Sequence, residues 1–472
     1  MIEARINRLP MTRHLWSLVF LLGLGAFFEA YDLSLTSVIT PGLVRSGIFQ
    51  ARGGLIGLPD QAAFGMATFL GLFAGALLFG RYVDRFGRKS AFNGALLLYT
   101  GATVAMALQH SAVWIDVWRF MSAVGLGVEL VAIDVYIAEI VPIRYRGRAF
   151  AFAFFVQFLA VPVAGALGVA LVPRSPLGFD GWRWVAVLGS VGAALVWIVR
   201  TRLPESPAWL AQHGRYADAV QIVAGLEKRC FGEVAASRLP PLELALRSSG
   251  EAAPPSRVGL GAVLRAPWLR LVTMLTVINV FMLVGFYGFG NWVPTLLAAQ
   301  GHSVVTSLTY AAYISLIYPL SPLLFLFFAD RFERKYQIAA AALGAGICGL
   351  LFGHQSSPVL LIAFGAGTTV FNVLNGYATF TYQAELFPPA IRAQAIGFAY
   401  SWGRLATAFS SLIIGFLLQR GGSGGVFVFL AMCQIIVAAV VLTMGPRTLD
   451  LRRKRKDGHL SLQRQDFTDI TS

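Results

Sequence analysis

The chain has 472 residues, 57% of them hydrophobic and only 13% charged, with a mean hydropathy of +0.67 and a formal net charge of +15. That balance excludes a soluble globular protein of this length, and with no soluble basic domain to carry the charge there is no case for nucleic-acid binding. Cys230, Cys348 and Cys433 are isolated and the six histidines form no cluster with them, so neither a disulfide framework nor a metal site is indicated; no nucleophile–base pairing marks an enzyme and no cofactor is expected.

A bilayer core of about 30 Å needs about 20 apolar residues per helix. Long apolar runs fall near 15–40, 62–80, 91–108, 113–139, 149–172, 183–200, 267–298, 307–328, 338–353, 358–386, 394–417 and 425–444. None alternates as the strands of a membrane barrel would, so the expected fold is all-α, with twelve spans whose backbones satisfy their own hydrogen bonds. The first run follows Arg5, Arg8 and Arg13 and is not followed by a small-residue cleavage site, so it reads as a span and not a signal peptide. Positive charge gathers in alternate loops, which places both termini in the cytoplasm of a cell whose inner membrane holds the protein. Lipid headgroups are the expected partner of that charge.

The first span carries Glu29 and Asp32, three residues apart and on roughly one face. Carboxylates inside a bilayer normally face a cavity or a partner. The stretch from Gly80 to Lys89, Gly-Arg-Tyr-Val-Asp-Arg-Phe-Gly-Arg-Lys, closes the second span with Asp84, Arg85 and Arg88. Its Asp-Arg-x-x-Arg-Lys core returns at Asp330-Arg331-Phe332-Glu333-Arg334-Lys335, 246 residues later. The same offset relates Ala138-Glu139-Ile140-Val141-Pro142 and Arg146 to Ala384-Glu385-Leu386-Phe387-Pro388 and Arg392, so the chain reads as two homologous halves. The division expected is a six-helix bundle at 1–200, a cytoplasmic linker at 201–266, a second bundle at 267–446 and a basic tail at 447–472. The duplicated charges suit a cytoplasmic latch, looser in the second half, where Leu326 and Glu333 stand in place of the two glycines.

The fourth span holds Asp116, Arg119, Glu129, Asp134 and Glu139, with Arg119 about 9 Å below the outer end by helix rise. Gln157 in the fifth span is either a substrate contact or a helix–helix hydrogen bond. The seventh span, with Asn279, Gly285, Gly288, Gly290, Asn291, Trp292 and Pro294, reads as a bending helix beside a cavity. Asn375 and Tyr377 mark the tenth. In the eleventh, Arg404 lies about 18 Å into the membrane beyond Arg392, where an arginine needs a carboxylate partner or an anionic ligand. None of Asp32, Arg119 and Arg404 is duplicated at the 246 offset, as coupling and substrate choice would have it.

Gly80-x-x-x-Asp84-Arg85-x-Gly87-Arg88-Lys89, Arg119 followed by Gly125 and Gly127, Tyr136-Ile137-Ala138-Glu139 with Arg146-Gly147, and Pro204-Glu205-Ser206-Pro207 together resemble the major facilitator superfamily over nearly the whole chain. The last of these is shared by sugar porters and by the niacin and organic-ion branch. The resemblance implies that Asp32 and Arg119 stand where sugar:proton symporters keep a coupling pair. It fails at the sugar site, where Phe154 replaces the fifth-span glutamine and Phe286-Tyr287-Gly288-Phe289-Gly290-Asn291-Trp292-Val293-Pro294 replaces a glutamine-rich signature. The Trp-x-Pro-x-Leu-Leu pattern is similar to that of niacin and aromatic-acid transporters, and Arg404 to a cationic residue of organic-anion carriers.

The resulting expectation is a monomeric secondary transporter, not an enzyme, that couples a small organic acid to protons. Asp32, Glu29 and Arg119 would couple; Arg404, Asn291, Trp292, Asn375, Tyr377 and Gln157 would hold substrate; Asp84, Arg85, Arg88, Glu139, Arg146, Asp330, Arg334, Glu385 and Arg392 would form the cytoplasmic gate. A sugar or polyol symporter and a transporter-like sensor without net transport are the alternatives.

Overall fold

A computed structural model describes residues 2–54, 57–200, 204–231, 268–322, 324, 332–387 and 389–448. The linker beyond 231, the basic run at 452–456 and Asp330 lie outside the described residues, as do the side chains of Asp84, Arg85, Arg88 and Asp134.

Every regular element among the described residues is helical: α1 (Ile2–Asn7), α2 (Arg13–Val38), α3 (Thr40–Arg45), α4 (Asp60–Phe86), α5 (Arg88–Ala107), α6 (Ala112–Ile140), α7 (Ile143–Phe158), α8 (Ala160–Leu171), α9 (Gly181–Arg200), α10 (Pro207–Gln212), α11 (Tyr216–Phe231), α12 (Trp268–Ala299), α13 (Val304–Ser315), α14 (Arg334–Gly353), α15 (Pro358–Leu386) and α16 (Pro389–Met444), with one short 3₁₀ turn at Pro176–Gly178. Among the described residues, eight stretches are long and apolar enough to cross a membrane. The last of them holds two spans, because α16 is broken at Gly422, whose φ of 64° and ψ of −167° no helix contains. α5, α6 and α13 supply the others, α6 interrupted by Asp116, Arg119 and Glu129 and α13 cut short by turns at 316–320 around Pro319. α4 and α5 abut at Gly87, whose φ of 89° turns the chain in one residue.

The chain forms two compact units, one of Met1–Ile39, Ala67–Leu167 and Arg174–Pro254, the other of Thr40–Met66, Gly168–Pro173 and Pro255–Ser472. In the first, α4 and α6 cross backbone to backbone. A Cβ placed on Gly71, Gly75 or Gly127 would meet Phe120 O, Val124 O or Leu72 O, so only glycine allows this approach. Gly125 presses in the same way on the Ala95 carbonyl of α5. α6 is thereby held between two neighbours with little freedom to rotate, which fixes the direction of Arg119. Val19, Leu22 and Ala26 of α2 close a further core with Ile133, Tyr136, Ile137 and Ile140 of α6 and Ala149 and Ala153 of α7.

In the second unit, the inner parts of α12 and α16 share a core of Ile278, Met282, Leu283, Ala395 and Ala399 with Ala378 and Tyr382 of α15. Farther along α12, Phe289, Trp292, Val293 and Leu296 pack with Ala62 of α4, Phe352 of α14 and Ile414 of α16. Gln61 donates to the Asn291 carbonyl at 3.1 Å and accepts from the Thr295 hydroxyl, bridging the turn that Pro294 interrupts.

Candidate functional site

Asp32 and Arg119 meet inside the first unit. Arg119 Nη1 donates to Asp32 Oδ2 at 2.6 Å, and both residues are buried, with the arginine 0% exposed. Nε and Nη2 of the guanidinium are also matched: Nε to Thr68 Oγ1 at 2.9 Å, and Nη2 to the Asp32 carbonyl at 2.9 Å and to Thr36 Oγ1 at 3.2 Å. Asp32 Oδ1 accepts from Thr103 Oγ1 at 3.0 Å, and Thr103 in turn lies 2.9 Å from Ser122 Oγ. A buried ion pair is tolerable only when its remaining lone pairs and protons are satisfied in this way. Glu29, one turn earlier on α2, and Glu129, on α6, are both buried. The four hydroxyls escaped the sequence reading. Thr36 lies four residues from Asp32 and Ser122 three from Arg119, a helical spacing that does signal them, whereas Thr68 and Thr103 come from other helices and carry no such mark.

Arg404 is a buried cation of another kind. It is 5% exposed, with its guanidinium 4.9 Å from the Tyr400 ring one turn back, and its Nη1 is buried with no hydrogen-bond partner among the described residues. Asn375 is fully buried and donates to Gln434 Oε1 at 3.2 Å, while Gln434 Nε2 donates to Asn372 Oδ1 at 2.8 Å. This amide chain ties α15 to the last arm of α16; Gln434 is absent from the sequence-derived set. Trp292 sits in the apolar core, Asn291 is half-buried with its carbonyl on Gln61, and Tyr377 is half-buried two residues beyond Asn375. Gln157, half-buried, belongs to the first unit, the other five to the second.

At the latch positions two hydrogen bonds recur in both halves. Arg146 Nε donates to the Val141 carbonyl and Arg392 Nε to the Phe387 carbonyl, both at 3.1 Å. Tyr136 donates to the Pro204 carbonyl at 2.6 Å and Tyr382 to the Pro446 carbonyl at 2.9 Å. Arg334 Nε lies 3.6 Å from Glu385 Oε1, and Glu139 is half-buried. A carboxylate stands at each helix start, and the two act differently. Glu205, from the segment after the sixth span, accepts from Lys89 N at 3.1 Å at the start of α5, where a Cβ on Gly87 would collide with it. Glu333, at the N-cap position of α14 with no side-chain bond to that helix, accepts instead from Thr448 N at 2.7 Å in the segment after the twelfth.

The family model described as sugar (and other) transporter matches residues 19–453. The chain belongs to that family. This transporter is 31% identical over 94% of its length to the putative metabolite transport protein YyaJ of Bacillus subtilis, covering 95% of that protein. It is 27% identical to the niacin transporter NiaP of Acinetobacter baylyi (94% and 97% covered) and 26% identical to the 4-hydroxybenzoate transporter PcaK of the same organism (95% and 94% covered). The xylose transporter XylE of E. coli, in a partially occluded inward open conformation, superposes with a TM-score of 0.75 at 20% identity, covering 93% of this transporter and 99% of XylE. The fold is therefore that of the major facilitator superfamily, twelve helices in two bundles, and the protein is a membrane transporter and not an enzyme.

Proposed function

We propose that this transporter moves a small organic acid, of the aromatic or niacin-like kind, together with a proton across the cell inner membrane, acting as a monomer with both termini in the cytoplasm. The observation that carries the reading is Arg404, a cation 5% exposed in the eleventh span with a buried N–H that no described residue accepts. Charge at that depth is costly unless a ligand compensates it, and a substrate carboxylate supplies both the charge and the missing acceptor. Asn291, Trp292, Asn375 and Tyr377, in the same unit as Arg404, are the further residues proposed to meet the substrate.

The Asp32–Arg119 pair supports the coupling half of the reading. A proton on Asp32 removes the charge attraction but leaves Arg119 held by Thr36, Thr68 and the Asp32 carbonyl, so the carboxylate is the member free to change state, with Glu29 as a neighbouring group. The gate consists of Asp84, Arg85, Arg88, Glu139 and Arg146 with Asp330, Arg334, Glu385 and Arg392, which stabilise the conformation closed to the cytoplasm. The test is uptake of labelled carboxylates and sugars into proteoliposomes with and without an inward proton gradient. Gradient-stimulated carboxylate uptake, abolished in Arg404→Ala and uncoupled in Asp32→Asn, is expected. Uptake of neutral sugars alone, undisturbed by Arg404→Ala, would overturn the assignment.

A further inference from the structure

Asn279 lies in the middle of α12 with 0% exposure. Its Nδ2 donates to the Leu275 carbonyl one turn back at 2.8 Å, and this bond fixes which way the amide faces. Oδ1 is thus an acceptor, and it is buried with no hydrogen-bond partner among the described residues. A buried polar atom left unmet is rare and costly, and calls for an explanation.

The explanation lies on the neighbouring helix. α12 and α16 touch at Gly403, the residue before Arg404: a Cβ there would stand 2.9 Å from the Asn279 carbonyl oxygen and 2.6 Å from Leu283 Cδ1. Tyr400, on which the Arg404 guanidinium rests, packs against the core that contains Ile278 and Met282. The two residues that carry unmet groups of opposite polarity, an arginine N–H and an amide oxygen, thus belong to one helix contact inside the second unit. A bare carboxylate answers Arg404 only. A carboxylate that also carries an O–H or N–H answers both.

We infer that Asn279 is a specificity-determining residue, and that the substrate is a small carboxylate bearing a second hydrogen-bond donor which Asn279 Oδ1 accepts. The inference rests on the reading of Arg404 given above and narrows its substrate class. Asn279 discriminates through a group the substrate must offer, since an analogue without the donor leaves the amide oxygen buried and unmet.

The test compares benzoate with 2-, 3- and 4-hydroxybenzoate in proteoliposome uptake by the full-length protein, Asn279→Ala and Arg404→Ala. The native protein takes up at least one hydroxybenzoate about tenfold more efficiently than benzoate, the worth of one well-made hydrogen bond. Asn279→Ala brings that ratio to about one while benzoate uptake is retained, which also shows that the variant folds; Asn279→Leu, similar in size and without an acceptor, replaces it if the alanine does not. The inference is overturned if no hydroxybenzoate exceeds benzoate, if the ratio survives both variants, or if benzoate falls in parallel because Asn279 serves only to place Arg404. Carboxylate uptake that persists in Arg404→Ala instead overturns the reading of Arg404, with Asn279 still judged by the ratio.

Discussion

Arg119 and Arg404 are both buried arginines, and the difference between them lies in what surrounds each. Arg119 is enclosed by one carboxylate, two hydroxyls and a carbonyl. Removing it leaves Asp32 buried without its counter-charge, and Arg119→Ala is expected to lower stability by about 3–5 kcal/mol, read as a fall in thermal unfolding temperature of the detergent-solubilised protein. Asp32→Asn leaves the Arg119 charge buried in its turn but keeps the backbone carbonyl and an amide oxygen as acceptors, so its loss should be the smaller of the two. A comparable loss in both variants would mean that the pair only holds the fold together. Asp32, Glu29, Arg119 and Arg404 were legible in the sequence because charge inside an apolar run is conspicuous. Thr68 and Thr103 were not, since hydroxyls are unremarkable in membrane helices and these reach Arg119 and Asp32 only after four helices have packed.

At the scale of an element, the apolar runs mark the spans but misplace their ends. The run at 62–80 becomes α4 at Asp60–Phe86, because a helix has no reason to stop where the hydrocarbon does and continues until Gly87 turns the chain. The run at 307–328 is interrupted: its first helix ends at Ser315, ahead of the turns at Pro319, and helical backbone resumes at Ser321. The docking of α1 on α11 left no trace in either run. Arg5 and Arg8 reach across to Glu227, with Arg8 Nη2 at 2.7 Å from Oε1, while Leu9 and Leu15 pack on Leu226. Burial by itself would raise the Glu227 pKa; the hydrogen bonds and charges of the two arginines outweigh it and hold the carboxyl below its ordinary value of 4.5. A lowered carboxyl pKa stabilises the docked form above the ordinary value and ceases to do so as pH falls through the folded one. Hydrogen-exchange protection of residues 2–7 should therefore be full at neutral pH and decline in acid below 4.5. Glu227→Gln should show the reduced protection already at neutral pH. Equal protection in the variant and the native protein would show that the apolar contact alone holds α1.

For the whole molecule, the offset of 246 residues survives folding as a set of matched hydrogen bonds, including one that the sequence comparison did not draw out, from Tyr136 and Tyr382 to the proline carbonyls that follow each half. What the offset could not give is how the chain divides in space, since the compact units are discontinuous and residues 40–66 and 168–173 go with the second. The matched latches differ in how they are made, Glu205 reaching a helix start in one half and Glu333 reaching outward from one in the other. Their effect on transport should accordingly be one of balance and not of binding. The Arg334–Glu385 pair, at 3.6 Å with the carboxylate 19% exposed, contributes on the order of 1 kcal/mol. Glu385→Gln would then shift the ratio of cytoplasm-closed to cytoplasm-open molecules roughly fivefold. Labelling of single cysteines introduced on the cytoplasmic side should rise by that factor, while the substrate concentration for half-maximal binding stays within about twofold once the shift in populations is taken into account. A variant that lost binding in proportion to its change in labelling would place Glu385 with the substrate and not with the latch.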